Sequence, residues 1–225
     1  MSLENAVIDI RYLLDRDYPR SGAVGFVCNH YRLDEESRHF LSRVVLSKTV
    51  SVKRRAKFLP CDEINGNVII IDGYNILIGM ESILMKKAFL CDDGVVRDIM
   101  GVFRNFKTSE TTEKAIELIL QFLKEHNPGS VVFLFDSQIS KSGLLAKKLR
   151  EKIAEFGLNG DARTSKRVDY ELKSSKYIVA SSDGVIIDEA GKVVNFLYCL
   201  ASRFKHLEGG VMRGLDDIQR DENHE

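Results

Sequence analysis

The chemically useful residues are carboxylates at the ends of short apolar runs. In VIIIDGYNIL, Val68 to Leu77, Asp72 and Asn75 directly follow four β-branched residues. VVFLF, Val131 to Phe135, runs into Asp136, and YIVA, Tyr177 to Ala180, runs into Ser181-Ser182-Asp183. Short runs of this kind read as strands covered on both faces. In open parallel sheets the carboxyl ends of the strands line the ligand crevice. Three strands therefore deliver Asp72, Asp136 and Asp183 to one edge. Asp169, at the start of VDYELK, reaches the same edge. Carboxylates crowded together repel unless protonated or bridged by cations. An all-oxygen set suits Mg²⁺ or Mn²⁺ rather than zinc, and such ions hold phosphate, activate water and stabilise a leaving oxygen. One Asp after a strand is more often a turn former or a helix cap. Three in order favour a shared metal site.

The elements that must position these residues follow from periodicity. Helices are predicted over 5–18, 23–31 and 33–46, with Pro19 stopping the first and Asp34 capping the third. Further helices are predicted from Asn75 to Lys87, Glu113 to Leu123, Gly143 to Phe156 (ended by Gly157) and Val168 to Ser175. VIID, Val185 to Asp188, and VVNF near Val194 are read as the last strands. Strands alternating with helices imply an α/β domain, a parallel sheet with helices on both faces. The expected organisation is a helical accessory unit with a basic linker over 1–60, an α/β domain over 61–207 and a disordered tail over 208–225.

The order DGYN, then FD, then VDYEL, then ASSD resembles the PIN-like nuclease superfamily, and most of all the YacP-like ribonucleases of its NYN branch. The resemblance covers about Asn67 to Lys205. The whole chain also resembles an uncharacterised family, domain of unknown function 434, in which a helical unit precedes this domain. The superfamily implies a Rossmann-like sheet and a Mg²⁺- or Mn²⁺-dependent endoribonuclease. It implies Asp72, Asp136, Asp169 and Asp183 as metal ligands and catalytic groups, with Asn75 orienting a ligand, a water or Asp72. Two departures stand out. Asp169 is followed by Tyr170, so the next acid comes at Glu171, and an insertion, AFLCDDGVVRDIMG, carries Asp92, Asp93 and Asp98. The Asp93-Gly94 pair reads as a hairpin turn, while Asp92 and Asp98 stay open as further ligands.

The chain has 225 residues and balances 33 basic against 33 acidic side chains. Residues 1–60 carry 11 Lys/Arg against 7 Asp/Glu. Arg43 to Lys57 holds six basic residues and no acid. It is either a polyanion contact through Lys53, Arg54 and Arg55 or a solvated linker. Lys141 and Arg167 are candidate RNA phosphate contacts, set against plain capping by Ser142 and a solvated loop. There is no membrane span and no signal peptide pattern. The four cysteines form no CxxC pair, so neither zinc nor a disulfide framework is expected, and a reduced, cytoplasmic protein is the default. RNA is the expected partner, tRNA or rRNA being candidate classes, and a homodimer stays open. The rivals are a PIN-like RNA-binding module without turnover and a small-nucleotide binder or phosphatase. The absence of GxGxxG and P-loop patterns counts against the last.

Overall fold

The computed structural model describes residues 2–98, 106 and 108–203; the expected tail over 208–225 lies outside the described residues. Four helices come first: α1 (Ser2–Leu14), α2 (Arg20–His30), α3 (Glu35–Val44) and α4 (Lys48–Arg55). Asp34 caps α3 as expected, accepting from Ser37 N–H at 2.7 Å. The basic segment is not a linker. Ser47 caps it as α4 by accepting from Val50 N–H, and it leads into a two-residue strand, β1 (Phe58–Leu59).

The strands that follow are β2 (Val68–Asp72), β5 (Ser130–Asp136), β6 (Gly160–Ser165), β7 (Ile178–Ala180) and β8 (Lys192–Val194). With β1 they form one six-stranded sheet in the order β1-β8-β7-β2-β5-β6. Every pairing in it is parallel. From β2 the chain steps outward to β5 and β6, then returns to the other side of β2 for β7 and β8. That reversal is the position where open α/β sheets form a crevice.

Both faces are covered, and residues alternate between them with the strand period of two. Ile69, Ile71, Val131, Phe133 and Phe135 pack under α5 (Gly73–Leu84), α6 (Glu110–His126), α7 (Ser142–Glu155) and α10 (Phe196–Arg203). Ile70, Val132, Leu134 and Val179 pack on the opposite face with residues of α8 (Val168–Lys173) and α9 (Gly184–Glu189).

Two readings of the sequence need correction, and one element was not read from it at all. VIID is helix α9, because Asp183 accepts from Val185 and Ile186 N–H groups and starts a helical turn there. Its buried Ile186 and Ile187 serve a helix face as well as they would a strand. GDARTS forms edge strand β6 although Ala162 is its only buried residue. Cys61 and Cys199, far apart in sequence, form a disulfide across 138 residues. The fold brings the 3₁₀ turn Cys61–Ile64 against α10, which spacing alone does not reveal.

The insertion forms an antiparallel hairpin, β3 (Ala88–Leu90) and β4 (Val96–Asp98), turning through Gly94 at φ +76°. The turn is also an electrostatic node. Asp93 is fully buried and accepts from both terminal nitrogens of Arg97, at 2.8 and 2.7 Å, and from Arg54 Nη1 at 2.8 Å. Arg54 also grips Asp188 through Nε and Nη2, at 2.9 and 2.7 Å. Asp92 beside it accepts from Arg11 Nε and from Leu46 N–H, each at 3.0 Å. The helical unit is therefore fastened to the sheet domain by ions as well as by Phe89 and Cys91, which pack into its core. Burial alone would raise the Asp93 pKa, but the two arginines hold it below the ordinary carboxylate value.

Removing one partner of a buried network leaves the others charged and unpaired. Asp93→Asn is expected to cost about 3–5 kcal/mol in chemical denaturation. Glu151→Gln, in an exposed pair with Lys147, is expected to cost less than about 1 kcal/mol.

Candidate functional site

Asp72 ends β2 and starts α5, and the local sequence forces this sharp turn. A side chain at Gly73 would collide with the Phe135 ring. Phe135 in turn stacks edge-on against Tyr74, their ring centroids 5.1 Å apart. Asp136 ends β5, its Oδ1 accepting from Gln138 N–H at 2.8 Å. Asp183 follows β7 and caps α9. Asp169 sits in the first turn of α8.

All four aspartates line one cavity of about 600 Å³ on the carboxyl edge of the sheet. Asn75, Tyr74, Arg43, Lys166, Arg167 and Tyr170 share it. Asp72 is the buried member, whereas Asp169 and Asp183 are exposed. Ser181 Oγ donates to Asp72 Oδ2 at 2.9 Å. Asn75 Oδ1 accepts from the Ser182 backbone N–H at 2.7 Å and from the Ser182 hydroxyl. Asn75 therefore orients the loop that carries Asp183. Glu171, the displaced acid of the third motif, pairs with Arg163 at 2.5 Å, which leaves Asp169 as that motif's contribution to the cavity.

The predicted phosphate contacts divide. Arg167 lines the cavity, and so does Lys166. Lys141, Lys53, Arg54 and Arg55 do not. Lys141 sits in a left-handed conformation at the start of α7, and Ser142 is a buried first-turn residue rather than the cap. Arg54 is committed to Asp93 and Asp188, and Arg55 donates to the Asp92 carbonyl. Lys53 stays exposed on α4. Asp92 and Asp98 are not extra members of the cluster: Asp92 serves Arg11, and Asp98 accepts from Ser82 Oγ at 3.0 Å. Arg43 at the cavity and Arg97 at the node are the residues that sequence reasoning did not single out. Arg43 stood only as the first residue of the basic run, and Arg97, four residues after Asp93, stood in what read as a simple hairpin turn.

Burial lifts the Asp72 pKa from 3.8 to about 7, with the charges of Asp183 and Asp169 pushing the same way and hydrogen bonds from Ser181 and Asn75 opposing. Among the described residues no three carboxylate, imidazole or thiolate groups are grouped to hold an ion as they stand. The donor chemistry nevertheless fits a hard divalent cation. Every acidic group is an oxygen donor, and Asp136 and Asp183 each use only Oδ1 in their hydrogen bonds to backbone.

The raised Asp72 pKa fixes a pH dependence. The folded protein holds this proton more tightly than the unfolded chain, so stability falls as pH rises from about 4 to about 7 and levels off above that. Asp72→Asn removes this penalty. In the absence of divalent ions the variant is expected to exceed wild type by roughly 4 kcal/mol at pH 8 and by almost nothing below pH 4. Urea unfolding at the two pH values measures it; an equal difference at both would refute the buried, proton-binding Asp72.

Residues 2–57 match the family described as Protein of unknown function (DUF434), and residues 61–199 match Domain of unknown function (DUF5616). An uncharacterised protein of Methanocaldococcus jannaschii is 43% identical over 189 residues, covering 83% of this chain and 89% of its own length. No solved structure matches the chain. The boundary between the two matched segments falls where α4 gives way to the first sheet strand. With five of its six sheet strands and all four cavity aspartates inside the longer match, the chain belongs to the DUF5616 family and carries a DUF434 segment ahead of it.

Proposed function

We propose that the protein is a divalent-cation-dependent endoribonuclease of the PIN-like, NYN type. The observation that carries this reading is the meeting of Asp72, Asp136, Asp169 and Asp183 in one cavity, each from a different element. The neighbours of the carboxylates also favour nucleic acid. Lys166 and Arg167 supply backbone phosphate contacts. Tyr170, 66% exposed on the cavity wall, offers a face on which an unpaired base stacks.

When bound, Mg²⁺ or Mn²⁺ would supply Lewis acidity and a lowered pKa for an attacking water. The four aspartates would hold it. Asp72 gives up its proton more readily once a cation offsets Asp169 and Asp183, so metal affinity rises with pH through about 7. Asn75 and Ser182 keep Asp183 in register with Asp72, while Arg43, Lys166 and Arg167 neutralise phosphate oxygens. The reading takes the protein to be cytoplasmic; among the described residues no helix is long and apolar enough to cross a membrane.

A second reading is an RNA-binding module without turnover. It is favoured by the lack, among the described residues, of three groups placed to hold an ion.

Cleavage of labelled tRNA and of single-stranded RNA with Mn²⁺ separates the two. The nuclease is expected to lose at least about a hundredfold in rate in Asp183→Asn, and to stop when EDTA is added, with the fold retained. RNA bound but uncut by wild type supports the module instead. Equal cleavage by wild type and Asp183→Asn would count against both the site and the activity.

A further inference from the structure

The carboxylate cavity has a neighbour. A second cavity of about 280 Å³ adjoins it, and Arg43, Asn75 and Asp183 line both. Its other wall is cationic. Arg20 comes from the start of α2, Arg43 from the last turn of α3, Arg54 from α4 and Arg97 from β4. Three of the four guanidiniums thus belong to the helical unit.

These arginines divide by what they are bonded to. Arg54 and Arg97 give their donors to Asp93, Asp188 and the Ser182 carbonyl. Among the described residues Arg20 donates only to the neutral Ser42 carbonyl, through Nε at 3.0 Å and through Nη2. Arg43 has no hydrogen-bond or ion-pair partner among the described residues. Two half-buried cations therefore face a polar cavity with no carboxylate of their own. Burial lowers the Arg20 pKa; the charges of Arg97 and Arg54 push the same way and those of Cys91 and Asp93 oppose. The anion that lines the cavity, Asp183, has one oxygen already held by two backbone N–H groups. Closing the far side, a side chain at Gly184 would collide with the Arg54 guanidinium, so the glycine admits the arginine that shapes the cavity.

We propose that this cavity is a subsite for a phosphate group, held by Arg20 and Arg43 and contiguous with the carboxylate site. Guanidinium pairs favour phosphate because their planar donors match its oxygens. The volume lies just under the ~300 Å³ at which pockets begin to enclose drug-sized ligands, so it suits a phosphate with its sugar rather than a whole nucleotide and its base. That this phosphate belongs to the RNA cut at the carboxylates rests on the nuclease reading; the anion site itself does not. The helical unit then acts as half of a substrate-binding cleft. The phosphate is either a terminal monoester of the RNA or an internal diester beside the one that is cut.

The test is made in EDTA at fixed ionic strength, so that neither metal nor turnover enters. Inorganic phosphate is titrated calorimetrically into wild type, Arg43→Gln, Arg20→Gln and a control, Lys147→Gln, an exposed lysine lining neither cavity. Wild type and the control are expected to show the same saturable binding, and Arg43→Gln to weaken it at least tenfold. Arg43 has no partner to lose, so its variant keeps the fold even if Arg20→Gln does not. No saturable binding, or equal binding in Arg43→Gln and wild type, would overturn the subsite. A short oligoribonucleotide with and without a terminal phosphate then identifies the source. A preference for the phosphorylated strand that vanishes in Arg43→Gln marks the terminal group. Equal weakening of both strands marks an internal phosphate, and no weakening of either overturns the proposal. Phosphate binding here, together with no cleavage in the Mn²⁺ assay, would remove the nuclease reading and leave the subsite standing.

Discussion

The arrangement of the carboxylate edge depends on one buried charge. Asp93 is inaccessible to solvent, and a lone carboxylate there would be far too costly to keep ionised. It is kept ionised by Arg97, which grips it with two parallel bonds, and by Arg54, which reaches it from the helical unit. Each arginine then carries the constraint onward. Arg97 Nε donates to the Ser182 carbonyl at 2.9 Å, and Arg54 holds Asp188 at the end of α9. Ser182 precedes Asp183, and Asp188 lies in the last turn of the helix that Asp183 caps. The hairpin, the helical unit and the loop bearing a site aspartate are thereby fixed to one another through a single carboxylate.

The sheet supplies the other half of the arrangement. Strand order reverses at β2, so Asp72 stands between the ends of β5 and β7. Helices α8 and α9 cover the face that Ile70 and Val132 present, and they bring Asp169 and Asp183 to the same edge. Asp72, buried between them, holds its proton to about pH 7. Carboxylates thus gather at one end of the sheet, with the guanidiniums of Arg20 and Arg43 beside them. On the proposed reading a metal–phosphate pair would serve both, the cation the carboxylates and the anion the guanidiniums.

The strand-end aspartates were legible in the sequence because burial on both faces writes a continuous apolar run, and β2, β5 and β7 show one. The first three helices were legible from the 3.6-residue period, Pro19 and the Asp34 cap, whereas α4 read as a basic linker. Strand β6 was not, because an edge strand with one buried residue carries no hydrophobic signal. Helix α9 was misread because VIID has the composition of a strand; a cap two residues earlier, Asp183, decides the matter. Arg54 looked like a free cation in a basic run. Its partners Asp93 and Asp188 lie 39 and 134 residues away, beyond any local pattern. Arg20 meets the Ser42 carbonyl 22 residues away, and Arg97 reaches Ser182, 85 residues away, although its Asp93 partner is four residues off. Charges that act across domain boundaries leave no spacing to read.

The most direct test of the central claim, that the four aspartates form one cation site, is a Mn²⁺ titration followed by electron paramagnetic resonance at pH 8. Wild type is expected to bind Mn²⁺ saturably, with proton release, and Asp72→Asn and Asp183→Asn each to weaken it by at least tenfold. Saturable binding unchanged in both variants, or no binding at millimolar Mn²⁺, would contradict it.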